Sequence, residues 1–205
     1  MNPIERLTDL FEKFPGIGPR QARRFVQFLL AEQAGFRSDL SDSITHLGRE
    51  TGQCRKCFRW FAKSQETNGY CNICGSGKRD SAILFVVEKD ADIDNVEQSG
   101  FHGLYFVLGG TIPLASEEPE RHVRLRELLK RIETDAAHLH LNELILGLSA
   151  TTEGDHTRLI IQEKLRPIAE GLNFKISSLG RGLSTGSELE YADPDTIASA
   201  LSSRQ

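Results

Sequence analysis

All four cysteines of this 205-residue chain lie in one short stretch, as two C-x2-C pairs separated by thirteen residues. Because each C-x2-C turn directs two thiolates at one point, this spacing is typical of a single tetrahedral zinc held by Cys54, Cys57, Cys71 and Cys74. Four thiolates close the coordination sphere and leave no position for a catalytic water. We therefore predict one structural zinc per chain. The alternatives are four ordinary buried cysteines or two disulfides.

A glycine-rich turn followed directly by arginines is the second chemical feature. Gly16 and Gly18 flank one apolar residue between two prolines, so the backbone there can approach another surface closely. Amide groups at the start of the next helix favour a phosphate, and Arg20, Arg23 and Arg24 add contacts to a DNA backbone that do not depend on its sequence. We predict DNA binding at these five residues. The alternative is an ordinary αα-hairpin with a solvated arginine face.

Three carboxylates form the third feature. Glu88 follows one predicted buried strand, and Glu153 and Asp155 follow another. Ligands bind at the carboxyl ends of parallel strands, and converging carboxylates suit a magnesium ion in nucleotidyl transfer. The alternative is that these side chains only cap helices or face water.

The residues between the cysteine pairs are basic and aromatic, among them Arg59, Trp60, Phe61 and Lys63. Such a mixture binds single-stranded nucleic acid in other proteins, with rings stacked on bases. A small zinc module has almost no core of its own, so the favoured interpretation is that Trp60 and Phe61 cover the metal site.

Hydrophobic periodicity indicates helices in the N-terminal part, followed by strands that alternate with helices, which predicts a parallel α/β sheet. The predicted helices cover residues 4–14, 19–30, 38–50, 90–98, 119–134, 156–171 and a segment beginning at Pro194. Ser38 and Ser41 are predicted caps of the third helix, and Asp193 of the last. The predicted strands cover residues 82–87, 103–108, 143–148 and 174–177.

Charge is distributed unevenly along the chain. Residues 1–80 contain 13 Lys+Arg and 9 Asp+Glu, and residues 81–205 contain 12 and 20, so the halves carry +4 and −8. This asymmetry indicates a nucleic-acid-facing end and an acidic end, unless it arises by chance. The N-terminus has no features of a secretory signal, and cytoplasmic thiols stay reduced. We expect a cytoplasmic, nucleoid-associated protein.

The ordered set of motifs resembles the RecR family of bacterial recombination mediators over essentially the whole chain. The first helices resemble a helix-hairpin-helix motif, and the α/β half resembles a Toprim domain. The segments that carry the resemblance are PGIGPRQA, CRKC, CNIC, VVE, VLGG, TTEGDHT and RGLSTGSELEYAD. Catalytic Toprim domains have D-x-D where this chain has Glu153-Gly154-Asp155, so no residue is predicted to be catalytic.

The resemblance implies a multi-domain α+β fold with four parts: a helix-hairpin-helix domain (1–53), a four-cysteine zinc finger (54–79), a Toprim domain (80–178) and a Walker-B-like oligomerisation segment with a terminal helix (179–205). It implies that Glu88, Glu153 and Asp155 form an acidic face that contacts RecO. It also implies subunit contacts through the last segment, at Arg181, Gly182, Glu188, Leu189 and Tyr191.

The resemblance further implies a role without catalysis in DNA repair and recombination. A homodimer or homotetramer is expected to form a ring-like clamp on single- and double-stranded DNA. With RecO, and possibly RecF, it is expected to help load RecA onto single strands coated by single-strand-binding protein. The alternatives are a magnesium-dependent Toprim nuclease or primase-like enzyme, and a plain zinc-ribbon adaptor.

Overall fold

The computed structural model describes residues 2–66, 68–180, 182–183, 186 and 188–202. It has the mixed α/β architecture that the sequence predicts, with helices, a parallel sheet and a cluster of four cysteines. The chain divides into two compact units, a helical one that ends at Thr51 and an α/β one that begins at Gly52. No helix in the described part of the chain is long and apolar enough to cross a membrane.

The helical unit consists of α1 (Pro3–Phe11), α2 (Pro19–Ala31) and α3 (Ala34–Glu50). Helix α1 begins with a capping box between Asn2 and Glu5. The predicted start of the third helix at residue 38 was wrong, because α3 begins at Ala34. Ser38 and Ser41, the predicted caps, lie inside this helix. Arg37 explains part of the difference, since its guanidinium donates to the carbonyl of Leu29 at 2.9 Å and so fixes a tight connection from α2.

The α/β unit is built on four parallel strands in the order β4-β3-β5-β6. A two-stranded sheet of β1 and β2 precedes them. The strands are β1 (Thr51–Gln53), β2 (Trp60–Ala62), β3 (Asp80–Val87), β4 (Gly103–Val107), β5 (Glu143–Gly147) and β6 (Lys175–Ser178). The helices are α4 (Asp90–Gln98), α5 (Leu125–Leu139), α6 (Thr152–Leu172) and α7 (Pro194–Ser202), with short 3-10 turns at Lys63–Gln65, Pro119–Arg121 and Leu189–Tyr191.

The two faces of the four-stranded sheet bury two different cores. Because side chains alternate along a strand, Leu84 and Val86 of β3 face one way and Phe85 and Val87 face the other. The first pair joins a core with residues of α5 and α6. The second pair joins a core with Ile93 of α4 and with residues of the cysteine-containing stretch. The cysteine stretch therefore packs as a layer on the sheet.

Helix α1 ends at Phe11 rather than residue 14, and the starts of three further helices also bear on the sequence prediction. Helix α5 begins at Leu125 rather than residue 119, because Arg124 donates its backbone N–H to Leu108 at 2.9 Å and holds the preceding segment against the end of β4. Helix α6 begins at Thr152 rather than near residue 156, since Thr151 caps it by accepting from Gly154 at 3.1 Å. The predicted cap of α7 is confirmed, because Asp193 accepts from the backbone N–H of Thr196 at 2.9 Å.

Candidate metal centre and nucleic-acid interface

The four cysteines meet at one point, and their sulfur atoms all lie within 4.8 Å of one another. Cys54, Cys57 and Cys71 are buried and Cys74 is partly buried, and all four are free thiols rather than disulfides. Among the described residues, these cysteines form the only group of three or more His, Cys, Asp or Glu side chains that is close enough to hold a metal ion. The alternative of two disulfides is therefore wrong.

The chemistry of these donors fits zinc. A zinc–sulfur distance of about 2.3 Å in a tetrahedron places the sulfurs about 3.8 Å apart, and Cys57 Sγ lies 3.7 Å from Cys71 Sγ. Backbone amides also point at the sulfurs, since Cys71 N donates to Cys54 Sγ at 3.4 Å and Cys74 N donates to Cys71 Sγ at 3.5 Å. Such bonds stabilise thiolates, which are the form that binds a metal.

The thiols also influence each other's titration. The hydrogen bond between Cys57 and Cys54 is the largest influence on both groups: it lowers the pKa of the Cys54 thiol and raises the pKa of the Cys57 thiol. The four groups therefore cannot gain or lose their protons independently. A dication held by the four sulfur atoms would stabilise all four thiolates together.

Two elements of the α/β unit hold the first cysteine pair in place. Val107 at the end of β4 donates its N–H to the carbonyl of Cys57 at 2.8 Å. Arg131 on α5 donates to the carbonyl of Lys56 at 2.7 Å, and its buried guanidinium also pairs with buried Asp135. These contacts explain why the cysteine stretch packs on the sheet as a fixed layer.

Sequence reasoning missed Arg131 and Asp135. A signal was present, because the two residues are four apart on α5 and Arg131 lies between the apolar positions Leu128 and Ile132. Opposite charges at this spacing pair on a helix, and a pair within an apolar stripe indicates a buried polar contact.

The covering of the metal site differs from the prediction at one residue. Phe61 is buried beside the cysteines, together with Ile73. Trp60 is 56% exposed, because the alternation along β2 places it on the opposite side from Phe61. The prediction that both rings cover the metal site is therefore right for Phe61 and wrong for Trp60.

In the helical unit, the three predicted DNA-binding arginines line one cleft. Arg20, Arg23 and Arg24 share this cleft at the start of α2 with side chains of α1 and α2. No side chain caps α2, whose N-cap is Gly18. The partial positive charge of the first turn therefore adds to the charge of the guanidinium groups.

The two glycines of the turn have different roles. Gly16 has a φ of +77°, a left-handed conformation that favours glycine. Gly18 has ordinary dihedral angles, and a Cβ at either position would have open space around it. Packing inside the unit therefore does not require glycine at position 18, which is exposed.

The three acidic residues of the predicted Toprim face have separate partners. Glu88 is buried at the end of β3 and accepts from the Ser149 hydroxyl at 2.9 Å. Asp155 forms an ion pair with Arg158 at 2.8 Å. Glu153 is exposed and accepts from the Thr111 hydroxyl at 3.4 Å. The three carboxylates do not form a cluster close enough to hold one metal ion.

The last segment exposes large side chains. Leu189 and Tyr191 lie in a 3-10 turn and are 62% and 80% exposed, and Gly182 and Glu188 are also exposed. Arg181, the fifth residue predicted for oligomerisation, lies outside the described residues.

A Toprim domain model matches residues 82–178, and a model of the RecR C-terminal region matches residues 182–205. The chain is 35% identical over 204 residues to the recombination protein RecR of Prochlorococcus marinus strain MIT 9215, covering 98% of this chain and 94% of that protein. The chain belongs to the RecR family. RecR proteins from other bacteria match as well, with 36% identity in Synechococcus sp. strain JA-3-3Ab over 99% of this chain and 97% of that protein. The protein of Bifidobacterium longum strain DJO10A is 35% identical over 98% of this chain and 95% of its own length.

Proposed function

We propose that this protein is a DNA-binding recombination mediator that acts without catalysing a reaction. The single observation that carries the proposal is its similarity to proteins named recombination protein RecR over nearly the whole length of both chains. The arginine-lined cleft at the start of α2 supports DNA binding, because exposed guanidinium groups beside an uncapped helix start favour phosphate.

The proposal assigns a different task to each part of the chain. Gly16, Gly18, Arg20, Arg23 and Arg24 contact single- or double-stranded DNA through its phosphates, so binding is weak per subunit and sensitive to salt. Several copies in one ring raise the effective concentration of DNA at each cleft. The four predicted parts, at residues 1–53, 54–79, 80–178 and 179–205, provide DNA binding, a zinc-stabilised layer, a partner-binding face and subunit contacts.

Assembly into a homodimer or homotetramer has support from exposed apolar surface in both units. An apolar groove in the helical unit, lined by residues of α1, α2 and α3, has a volume of about 790 Å³. Exposed Leu189 and Tyr191 provide a second apolar surface in the α/β unit. Surfaces of this kind are typical of sites that bind another protein.

The acidic face is proposed to bind RecO. Glu153 and Asp155 begin α6 and are at least partly exposed, whereas Glu88 is buried and bonded to Ser149. Glu153 and Asp155 therefore make the direct contacts, and Glu88 holds the loop that carries Ser149. The zinc ion stabilises the fold, and a cytoplasmic location at the nucleoid follows from the proposed task.

A reconstituted loading assay tests the function. Single-stranded DNA is coated with single-strand-binding protein, and filament formation by RecA is followed with and without this protein and RecO. We expect faster loading only when both are present, and RecF is added in a separate arm. Two matched double variants separate partner binding from DNA binding. Glu153→Gln with Asp155→Asn removes two charges from the proposed RecO-binding face, and Glu163→Gln with Glu170→Gln removes two charges from exposed positions on the same helix. Loading that this protein does not accelerate in any arm would contradict the proposal.

A further inference from the structure

We propose that Trp60 is a stacking platform for a base of single-stranded DNA, forming a contact site in the α/β unit in addition to the arginine cleft of the helical unit. The inference deepens the proposed function and rests on its DNA binding. It starts from an exposed ring. Trp60 is the only tryptophan of the chain, and its side chain is 56% exposed. The next residue of strand β2, Phe61, is buried.

The backbone around Trp60 is fixed by contacts on both sides. Its N–H donates to Asp90 of α4 at 3.0 Å, and the carbonyl of Arg59 accepts from Cys54 N at 2.9 Å. The indole is therefore presented from an anchored strand rather than from a loose loop. A ring held in this way needs little ordering when a partner binds, which favours affinity.

Positive charge surrounds this position in the sequence. Residues 54–79 contain six Lys+Arg and one acidic residue, in a chain whose formal net charge is −4. A zinc ion held by four thiolates carries two net negative charges, so the module stays positive. Arg55 and Lys63 are exposed, and single-stranded DNA is bound by such combinations of cationic and aromatic side chains.

The acidic residues of the neighbouring helix α4 already have partners. Asp90 accepts from Trp60 N, and Asp92 accepts from Lys89 N at 2.8 Å. Asp94 lies 3.8 Å from the Arg59 guanidinium, and Glu97 pairs with Arg79, whose hydrogen bond lowers the pKa of that carboxyl. The two ion pairs offset the charges of Asp94 and Glu97, so Arg59 and Arg79 act against α4 and do not add to the positive charge that faces DNA.

Single strands fit this surface better than duplexes. A base can stack on an indole only when its face is open, which is the case in a single strand and not inside a double helix. The arginine cleft contacts phosphates, which both forms of DNA present. The two contact sites should therefore differ in the form of DNA that they bind. The arginine cleft should bind both single and double strands, and Trp60 should bind single strands.

Intrinsic fluorescence tests the inference directly, because all indole emission of the protein comes from Trp60. The full-length zinc-bound protein is titrated with oligo(dT) and with a duplex of the same length, and acrylamide reports the accessibility of the ring. Labelled DNA in the same samples reports binding by anisotropy. We expect a solvent-exposed indole in the free protein, quenching and protection from acrylamide with oligo(dT), and little change with the duplex.

Variants give a second readout. Trp60→Ala should weaken oligo(dT) binding about 10-fold, and Trp60→Phe should retain most of the affinity, since stacking contributes on this scale for each base. Leu159→Ala, at a similarly exposed apolar residue on α6, should leave affinity unchanged. Duplex binding should be the same for all three variants.

The outcomes distinguish this inference from the proposed function. If labelled oligo(dT) binds while the indole emission stays unchanged, the inference is wrong and DNA binding stands. An indole already shielded from acrylamide in the free protein would also overturn it. If neither form of DNA binds, both the inference and the proposed DNA binding fail.

Discussion

The two units of this molecule obtain their structure in different ways. The α/β unit has two cores, one on each face of its sheet, and the cysteine layer completes one of them. In the helical unit, Thr8, Ala22 and Val26 are the only buried residues among those described. The α/β unit thus buries its cores with its own residues, while the helical unit leaves an apolar groove exposed. Most of the buried core therefore belongs to the α/β unit, and the apolar groove belongs to the helical unit.

The largest expected effect is loss of the metal. Cys54, Cys57 and Cys71 belong to the same core as Phe85 and Tyr105 of the sheet, so removing zinc exposes apolar surface and leaves four competing thiols. Structural zinc contributes on the order of 10 kcal/mol in small fingers, which is comparable with the whole stability of a domain of about 5–15 kcal/mol. We expect chelation or Cys71→Ser to abolish the cooperative thermal transition of the α/β unit.

Circular dichroism during heating, with metal content measured in parallel, checks this expectation. Ser64→Ala, at an exposed residue of the same module, serves as the control and should melt as the unmodified protein does. A metal-free sample with an unchanged transition would show that the metal does not stabilise the fold.

The second effect concerns the buried Arg131–Asp135 pair. Arg131→Met leaves Asp135 without its partner in the core and removes the bond to the Lys56 carbonyl, so we expect a loss of about 3–5 kcal/mol in the free energy of unfolding. Arg126→Met breaks a pair with Glu120 in which Arg126 is exposed and should cost less than about 1 kcal/mol.

Urea unfolding of the two variants provides the measurement. The double variant Arg131→Met with Asp135→Leu should recover part of the loss, because no unpaired charge then remains buried. Equal destabilisation by Arg131→Met and Arg126→Met would argue against the role of Arg131 in fixing the cysteine layer.

A pair of glycines on α6 gives the next effect. A Cβ at Gly154 would lie 2.1 Å from the carbonyl oxygen of Ser149, so Gly154→Ala must displace the loop that bonds Glu88. We expect destabilisation of about 1–3 kcal/mol, as for an overpacked site. Gly171→Ala meets open space on the same helix and should stabilise by about 0.5–1 kcal/mol.

Chemical denaturation of both alanine variants compares them under identical conditions. The opposite signs are the critical result, because helix propensity alone predicts stabilisation at both positions. Stabilisation by Gly154→Ala would mean that the close approach to Ser149 is absent in solution.

The smallest effect on stability is expected in the helical groove. Ile44 is 65% exposed and lines that groove, so Ile44→Glu should leave thermal unfolding of the α/β unit nearly unchanged while lowering the mass of the assembly. Light scattering coupled to gel filtration measures the mass. Leu159→Glu, which adds the same charge at a similarly exposed position on α6, is the control. Equal masses for the two variants would exclude the groove as a subunit contact.

Much of the fold was readable from the sequence because local patterns determine it. The continuous apolar run 82–87 predicted strand β3, and the helix predicted at residues 90–98 has the same limits as α4 in the structure. The cysteine spacing predicted the cluster that the structure contains. Alternation and spacing are local properties, and a single sequence displays them.

The remainder depends on contacts between distant residues. The hydrogen bond from Arg124 N to the Leu108 carbonyl sets the start of α5. The exposure of Trp60 depends on the pairing of strand β2 and on the hydrogen bond from Trp60 N to Asp90. The three carboxylates looked convergent because they follow parallel strands, yet Ser149, Thr111 and Arg158 bind them separately. Four of these pairings join residues that are far apart in the sequence, so no local pattern shows them, whereas the Asp155–Arg158 pair is only three residues apart on one helix.

The most direct test of the central claim is DNA binding by the arginine cleft. Arg20→Ala with Arg24→Ala is compared with Lys164→Ala with Arg166→Ala, which removes the same charge from exposed positions on α6. Anisotropy with labelled single-stranded DNA at low salt gives affinity, and light scattering gives the mass. We predict that the first variant loses DNA binding with its assembly intact, while the second binds as the unmodified protein does. Equal binding by both variants would contradict the account.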